Sequence, residues 1–150
     1  MRCSGAIICD AGVDRALVEA RAGELRGFCD EILLCTPMIS PALLECGLPV
    51  VSARVAGSGD LGSLHAALSV ARADAVLALQ ASRPCEADVL RRLAEHSGGS
   101  NALLAAPPSG LPGRYRRGCL AALRRALMER RELSAILGEL HAAHLGDGAR

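Results

Sequence analysis

The chain has 150 residues and a formal net charge of +1, a length that suits one domain able to bury roughly 70% of its unfolded surface. All seventeen basic residues are arginine, so Schiff-base, Walker-A and general-base lysines are excluded. With one Phe, one Tyr and no Trp, the sequence lacks the stacking platforms that single-stranded nucleic acid needs.

The apolar run Ala6 to Cys9 predicts a first buried strand, too short for a signal core or a membrane span. Val13 to Cys29 reads as mostly helical, with Leu17, Leu25 and Phe28 on one side. Glu31 to Cys35 predicts a second strand, and Pro41 to Cys46 a short helix closed by Gly47. Pro49 to Ser52 predicts a third strand. Asp60 is expected to N-cap a helix running to about Arg72. Asp74 to Leu79 predicts a fourth strand, Glu86 to His96 a helix opened by Pro84, and Asn101 to Ala105 a fifth strand. Pro107, Pro108, Gly110 and Pro112 predict a loop. Two helices are expected to close the chain, about Arg117 to Met128 and Glu132 to His144.

Strands that are apolar throughout, each followed by a helix, imply a mostly parallel sheet covered on both faces. The expected fold class is therefore α/β, a three-layer Rossmann-like arrangement formed as one domain over 1–150. Ligands in such folds sit beyond the carboxyl ends of the strands. That rule directs attention to Asp10 to Arg15, Arg54 to Ser63 and Gln80 to Pro84.

The seven cysteines are irregularly spaced and form no C-x-x-C, which predicts buried or half-buried free thiols in a reducing cytoplasm. Gly57 to Gly62 fits G-x-G-x-x-G, but it follows the third strand rather than the first. It reads as a glycine turn into a capped helix, beside which a phosphate would still be reasonable. Asp10 and Asp14 could hold a metal–phosphate complex, but aspartates there more often cap the next helix. His141 and His144 could share a helix face, yet no further ligand is spaced to complete a zinc site. Arg117, Arg124 and Arg131 recur every seven residues near the C-terminus. A solvated helix face explains them more simply than a phosphate or RNA stripe, given the balanced total charge.

The order of these segments resembles the MobA-like nucleotidyltransferases (molybdenum cofactor guanylyltransferases), which share a nucleotide-diphospho-sugar-transferase-like fold. That family opens with L-A-G-G-x-S-x-R-M-G-x-D-K-A-L. Here Asp14-Arg15-Ala16-Leu17 looks like its closing D-K-A-L, with the middle of the loop missing. Gly47-Leu48-Pro49-Val50-Val51 resembles the third strand, and Gly59 to Leu68 resembles the G-P-L-A-G-L-x-A-A-L helix start. Asp74 to Pro84 resembles D-x-V-L-V-L-P-C-D-M-P, and Leu111 to Arg117 the loop and helix start late in the family.

The resemblance implies GTP or another nucleotide, or a molybdopterin, held by Asp10, Gly12, Asp14, Arg15, Gly59, Asp60, Gly62 and Ser82. Ser82 stands where the family carries its magnesium-binding aspartate, and a neutral hydroxyl is a poor sole ligand for that ion. No residue is therefore assigned a catalytic or metal-ligating role. A degenerate member is expected, acting as an accessory or regulatory protein in molybdopterin guanine dinucleotide biosynthesis. The alternatives are an active guanylyltransferase using Asp10, Asp14 or Asp60 as a displaced metal ligand, and a non-catalytic protein-interaction module. A protein partner or homo-oligomer suits the apolar composition; a membrane or nucleic acid does not.

Overall fold

The computed structural model describes residues 3–10, 14–37, 39–53, 57–105 and 109–145. Gly12, Arg54, Pro107 and Pro108 lie outside the described residues. The first half alternates strands and helices as β1 (Cys3–Ile8), α1 (Arg15–Leu25), β2 (Cys29–Thr36), α2 (Pro41–Leu44), β3 (Val50–Ser52) and α3 (Gly59–Val70). Then come β4 (Ala75–Gln80), α4 (Ala87–Glu95), β5 (Ala102–Leu104), β6 (Gly113–Arg116), a 3₁₀ turn (Arg117–Cys119), α5 (Leu120–Met128), α6 (Leu133–Ile136) and β7 (Ala143–His144).

The sheet has the order β3-β2-β1-β4-β6-β5-β7. Strands β3, β2, β1 and β4 run parallel, and β6 runs antiparallel to both β4 and β5. The chain moves outward from β1 to β3, then returns to place β4 on the other side of β1. The β1/β4 boundary is therefore the point where the strand order reverses, the usual position of a ligand crevice in open α/β sheets.

Both faces of the sheet are buried, which explains the continuous rather than alternating apolar runs of β1, β2 and β4. Ala6, Ile8, Val76 and Ala78 point to one core, closed by Leu64 and Leu68 of α3, Leu123 and Leu127 of α5, and Ile136 of α6. Ile7, Leu34, Leu77 and Leu79 point to the other, closed by Val18 and Leu25 of α1 and by Leu90 and Leu93 of α4. The mostly parallel, three-layer expectation is met. Among the described residues no cysteine is disulfide-bonded, and all are buried except the half-buried Cys46. No helix among the described residues is long and apolar enough to cross a membrane.

Several local expectations are corrected. The buried face of α1 is Val18, Arg21, Ala22 and Leu25, whereas Leu17 is half-buried. The N-cap position of α3 is Ser58, whose side chain makes no cap hydrogen bond, and Asp60 lies in the first turn. Leu111 to Arg117 contains a strand, β6, where a loop and helix start were expected. The second closing helix shrinks to Leu133–Ile136. His141 lies in a turn with φ 51° and His144 in β7, so the two histidines do not share a helix face. Nor do the three arginines form one stripe. Arg117 lies in the 3₁₀ turn and donates to the Ala71 carbonyl. Arg124 is in α5. Arg131 lies beyond it and pairs with Glu139 at 2.6 Å.

Candidate active site

The carboxyl ends of β1 and β4 are tied together by the backbone. The Ala81 N–H donates to the Ile8 carbonyl at 2.9 Å, and on the other side of β1 the Cys9 N–H donates to the Cys35 carbonyl of β2 at 2.8 Å. This delivers Asp10, exposed, directly beyond β1, and Gln80 at the end of β4. The amino end of α3 arrives from the other direction. Asp60 Oδ2 accepts from Gln80 Nε2 at 3.3 Å, and Gln80 Oε1 in turn accepts from Arg83 at 3.3 Å. Half-burial raises the Asp60 carboxyl above its ordinary value, and the nearby charge of Asp10 raises it further, against the Gln80 hydrogen bond. The charge of Asp10, just past β1, thus bears on Asp60 at the β1/β4 switch point.

The other candidates divide by what already holds them. Asp14 caps α1, accepting from the Leu17 N–H at 2.9 Å. Arg15 is exposed and engaged by Glu19 at 2.7 Å and Glu45 at 3.6 Å. Gly57 and Gly59 have φ of 72° and 60°, the left-handed region that glycine enters at no steric cost. Gly62 is buried. A Cβ there would lie 1.7 Å from the Ser58 hydroxyl and 2.7 Å from its Cβ, so any larger residue would force the turn to shift. Ser82 is exposed in the turn after β4. Asp10, Asp60 and Ser82 therefore gather at one edge of the sheet.

Sequence reasoning missed the residues that hold this edge in place. Arg21 is buried, pairs with Glu24 at 2.8 Å, and donates to the Ala81 carbonyl at 3.2 Å. Glu24 also accepts from the Cys85 N–H at 3.1 Å. One pair on α1, a buried arginine with a half-buried glutamate, thus fixes both ends of the β4–α4 turn that carries Ser82. The signal was an arginine on the apolar face of a helix with a glutamate three residues later. Cys9 is no nucleophile here: burial, then Asp10 and Cys46, push its thiol up to about 12.

Magnesium would need oxygen donors at this edge. No group of three or more His, Cys, Asp or Glu side chains able to hold a metal ion occurs among the described residues. Asp10 and Asp60 supply two carboxylates and Ser82 a hydroxyl, too few to build an octahedral shell without substrate oxygens and water. The small cleft lined by Gln80, Arg83 and Leu111 holds about 80 Å³. A larger groove of about 620 Å³ lies between α3 and α5, lined by His65, Leu120 and Arg124. Neither Asp10 nor Asp60 lines it, so the strand-end geometry outweighs its size.

Comparison with solved structures gives the same architecture. A protein of Aquifex aeolicus superposes with a TM-score of 0.77 at 15% identity, covering 96% of this chain and 86% of that one. The 2-C-methyl-D-erythritol 4-phosphate cytidylyltransferase of Thermus thermophilus matches at TM-score 0.70 and 19% identity, covering 96% and 88%. The molybdopterin-guanine dinucleotide biosynthesis protein A of Archaeoglobus fulgidus matches at TM-score 0.72 and 19% identity, covering 94% and 82%. Among curated proteins no sequence match was found. The MobA-like NTP transferase domain matches residues 13–144, nearly the whole chain, and the chain belongs to that family.

Proposed function

We propose that this chain is a degenerate MobA-like nucleotidyltransferase-fold protein, one that binds a nucleotide weakly and serves an accessory or regulatory role in molybdenum cofactor biosynthesis. The observation that carries this reading is Ser82, an exposed hydroxyl in the β4 turn where the family resemblance calls for a carboxylate. Arg15 supports it. Standing in for the family lysine, it has its charge engaged by Glu19 and Glu45, which leaves less for a phosphate. Phosphoryl-group chemistry depends on positioning and charge neutralisation, and both are reduced here.

In this reading the nucleotide phosphates approach the amino end of α3, where unpaired backbone N–H groups and the helix dipole favour an anion. Asp60, in the first turn, opposes that approach. The link to molybdenum cofactor rests on the family and on the likeness to the Archaeoglobus fulgidus protein; the likeness to a cytidylyltransferase makes cytosine the competing base.

A second reading is favoured by one observation, the closeness of Asp10 to Asp60, whose carboxyl it raises. Two carboxylates at the strand ends are what an active enzyme with a displaced metal ligand would retain. Calorimetric titration with GTP and CTP, with and without magnesium, separates the readings. Weak, metal-independent binding supports the degenerate protein. Metal-dependent binding at least about tenfold tighter supports the active enzyme. Absence of binding would leave a protein-interaction module.

A further inference from the structure

At the opposite end of the sheet, where the parallel strands begin, lies a groove of about 360 Å³. Its walls include Cys3 of β1, Ala75 of β4, Glu95 and His96 at the end of α4, and Arg114 and Arg116 of β6. The side chain of Arg114 is 3% exposed, yet its Nε and Nη2 have no hydrogen-bond partner. Its Nη1 donates to the Leu93 and His96 carbonyls at 2.9 Å each, closing the carboxyl end of α4. Arg116 Nε is also buried without a partner, and its Nη2 reaches the Gly98 carbonyl at 3.5 Å. Glu95 is exposed, and among the described residues it pairs with neither arginine.

Two guanidinium groups therefore converge on one groove, and among the described residues no carboxylate pairs with either. Burial, and then the Arg116 charge, lower the Arg114 pKa, as expected of cations whose counter-charge is missing. The α4 carbonyls offset part of the Arg114 charge through one nitrogen and leave the other two unmet. Buried N–H groups of a charged side chain are almost always satisfied, and the cost of leaving them unpaired is large.

We propose that this groove is a binding site for a small oxyanion, a phosphate or carboxylate group held by Arg114 and Arg116, separate from the Asp10–Asp60 edge. A six-residue strand separates the two sites by about 20 Å. The planar guanidinium fork suits such groups, since it presents N–H pairs at the spacing of two oxygens. The groove takes one such group with its immediate substituent, which makes it an effector-sized site. The site stands independently of any nucleotide reading at the carboxyl edge.

The test is titration of the intact protein with inorganic phosphate at low ionic strength, followed by backbone amide NMR. A parallel titration with citrate tells phosphate from carboxylate as the preferred source. Phosphate or citrate should shift the amides of residues 94–98 and 114–116. Arg116→Gln should weaken that binding about tenfold while leaving the rest of the spectrum in place. Arg116 is half-buried and makes one long contact, so this variant spares the Arg114 cap on α4. Arg116→Lys, which keeps the charge, should retain part of the affinity. If neither anion shifts these amides, if shifts appear only around residues 10, 60 and 80–82, or if Arg116→Gln binds as the wild type does, the proposal is overturned.

Discussion

The two ends of the central sheet handle charge in opposite ways. At the carboxyl end most of the charged side chains are tied to local partners: Asp14 to the Leu17 N–H, Arg15 to two glutamates, Arg21 to Glu24, and Asp60 to Gln80, with Asp10 left exposed. At the amino end Arg114 is buried and Arg116 half-buried, and both have buried nitrogens left unmet. Topology and family point to the first end; hydrogen-bond accounting points to the second. A site can thus keep its place in a fold while its charges are turned inward on the protein. Charge left over elsewhere is then the better guide to a ligand.

The largest effect is expected from breaking the carboxyl end at its buried support. Arg21→Ala removes the partner of Glu24 and the donor to Ala81. A half-buried carboxylate is then left uncompensated, and the loss should be about 3 kcal/mol of unfolding free energy. Urea denaturation measures it as a lower midpoint with an unchanged slope. A loss under about 1 kcal/mol would mean that the pair behaves like a surface bridge and does not hold the β4–α4 turn.

Gly62→Ala should follow, at about 2 kcal/mol, because the new methyl meets Ser58 Cβ at 2.7 Å and Ala53 Cβ at 3.2 Å. The hydroxyl of Ser58 can rotate away, but its Cβ moves only with the backbone of the turn. Helix propensity alone would favour alanine by nearly 1 kcal/mol, so a stabilised variant would show that the turn yields easily.

What was legible in the sequence follows from how far each segment obeys the ordinary rules. The strands β1 to β5 each carry a short apolar run, and those runs supply the two cores, so their composition announces them. Strand β6 is Gly-Arg-Tyr-Arg, framed by prolines and arginines. Arg114 is buried against a helix end where a sheet residue would normally be aliphatic, and no apolar pattern could reveal that. Leu133, Ile136, Leu137 and Leu140 keep helical spacing and do reach the core, but the helix ends at Ile136 and the chain then turns. The sequence also directed attention to Asp10, just past β1, and to Gln80, which ends the adjacent β4. The cap of α3 was not: Ser58 and Asp60 are both good capping residues, and two left-handed glycines between and before them decide where the helix begins.

At the crevice itself, magnesium is expected to leave GTP affinity unchanged in the wild type, within error of calorimetry. Ser82→Asp adds a third carboxylate to the edge that holds Asp10 and Asp60, and should introduce a magnesium dependence of up to about tenfold. Tenfold tighter binding with magnesium in the unaltered protein would instead show that Asp10 and Asp60 suffice. That result would replace the degenerate reading with the active one.

The smallest expected effect tests whether Asp60 faces the phosphate path. Asp60→Asn removes a charge beside Asp10 while an amide can still meet Gln80. Sulfate, which keeps its charge over the accessible pH range, should bind the variant about threefold more tightly at neutral pH, the scale of one partly screened charge. The pH dependence carries the sign. The Asp60 carboxyl is raised in the folded state by burial and by Asp10, so its charged form is a penalty at neutral pH. That penalty is relieved as pH falls through the raised folded value, where the native state binds more protons than the unfolded one. The wild type should therefore gain sulfate affinity on acidification and converge on the variant. The variant's stability advantage, full at neutral pH, should disappear in the same window. A ratio of affinities that stays near one at neutral pH, or that holds constant on acidification, would place the anion path elsewhere than at the first turn of α3.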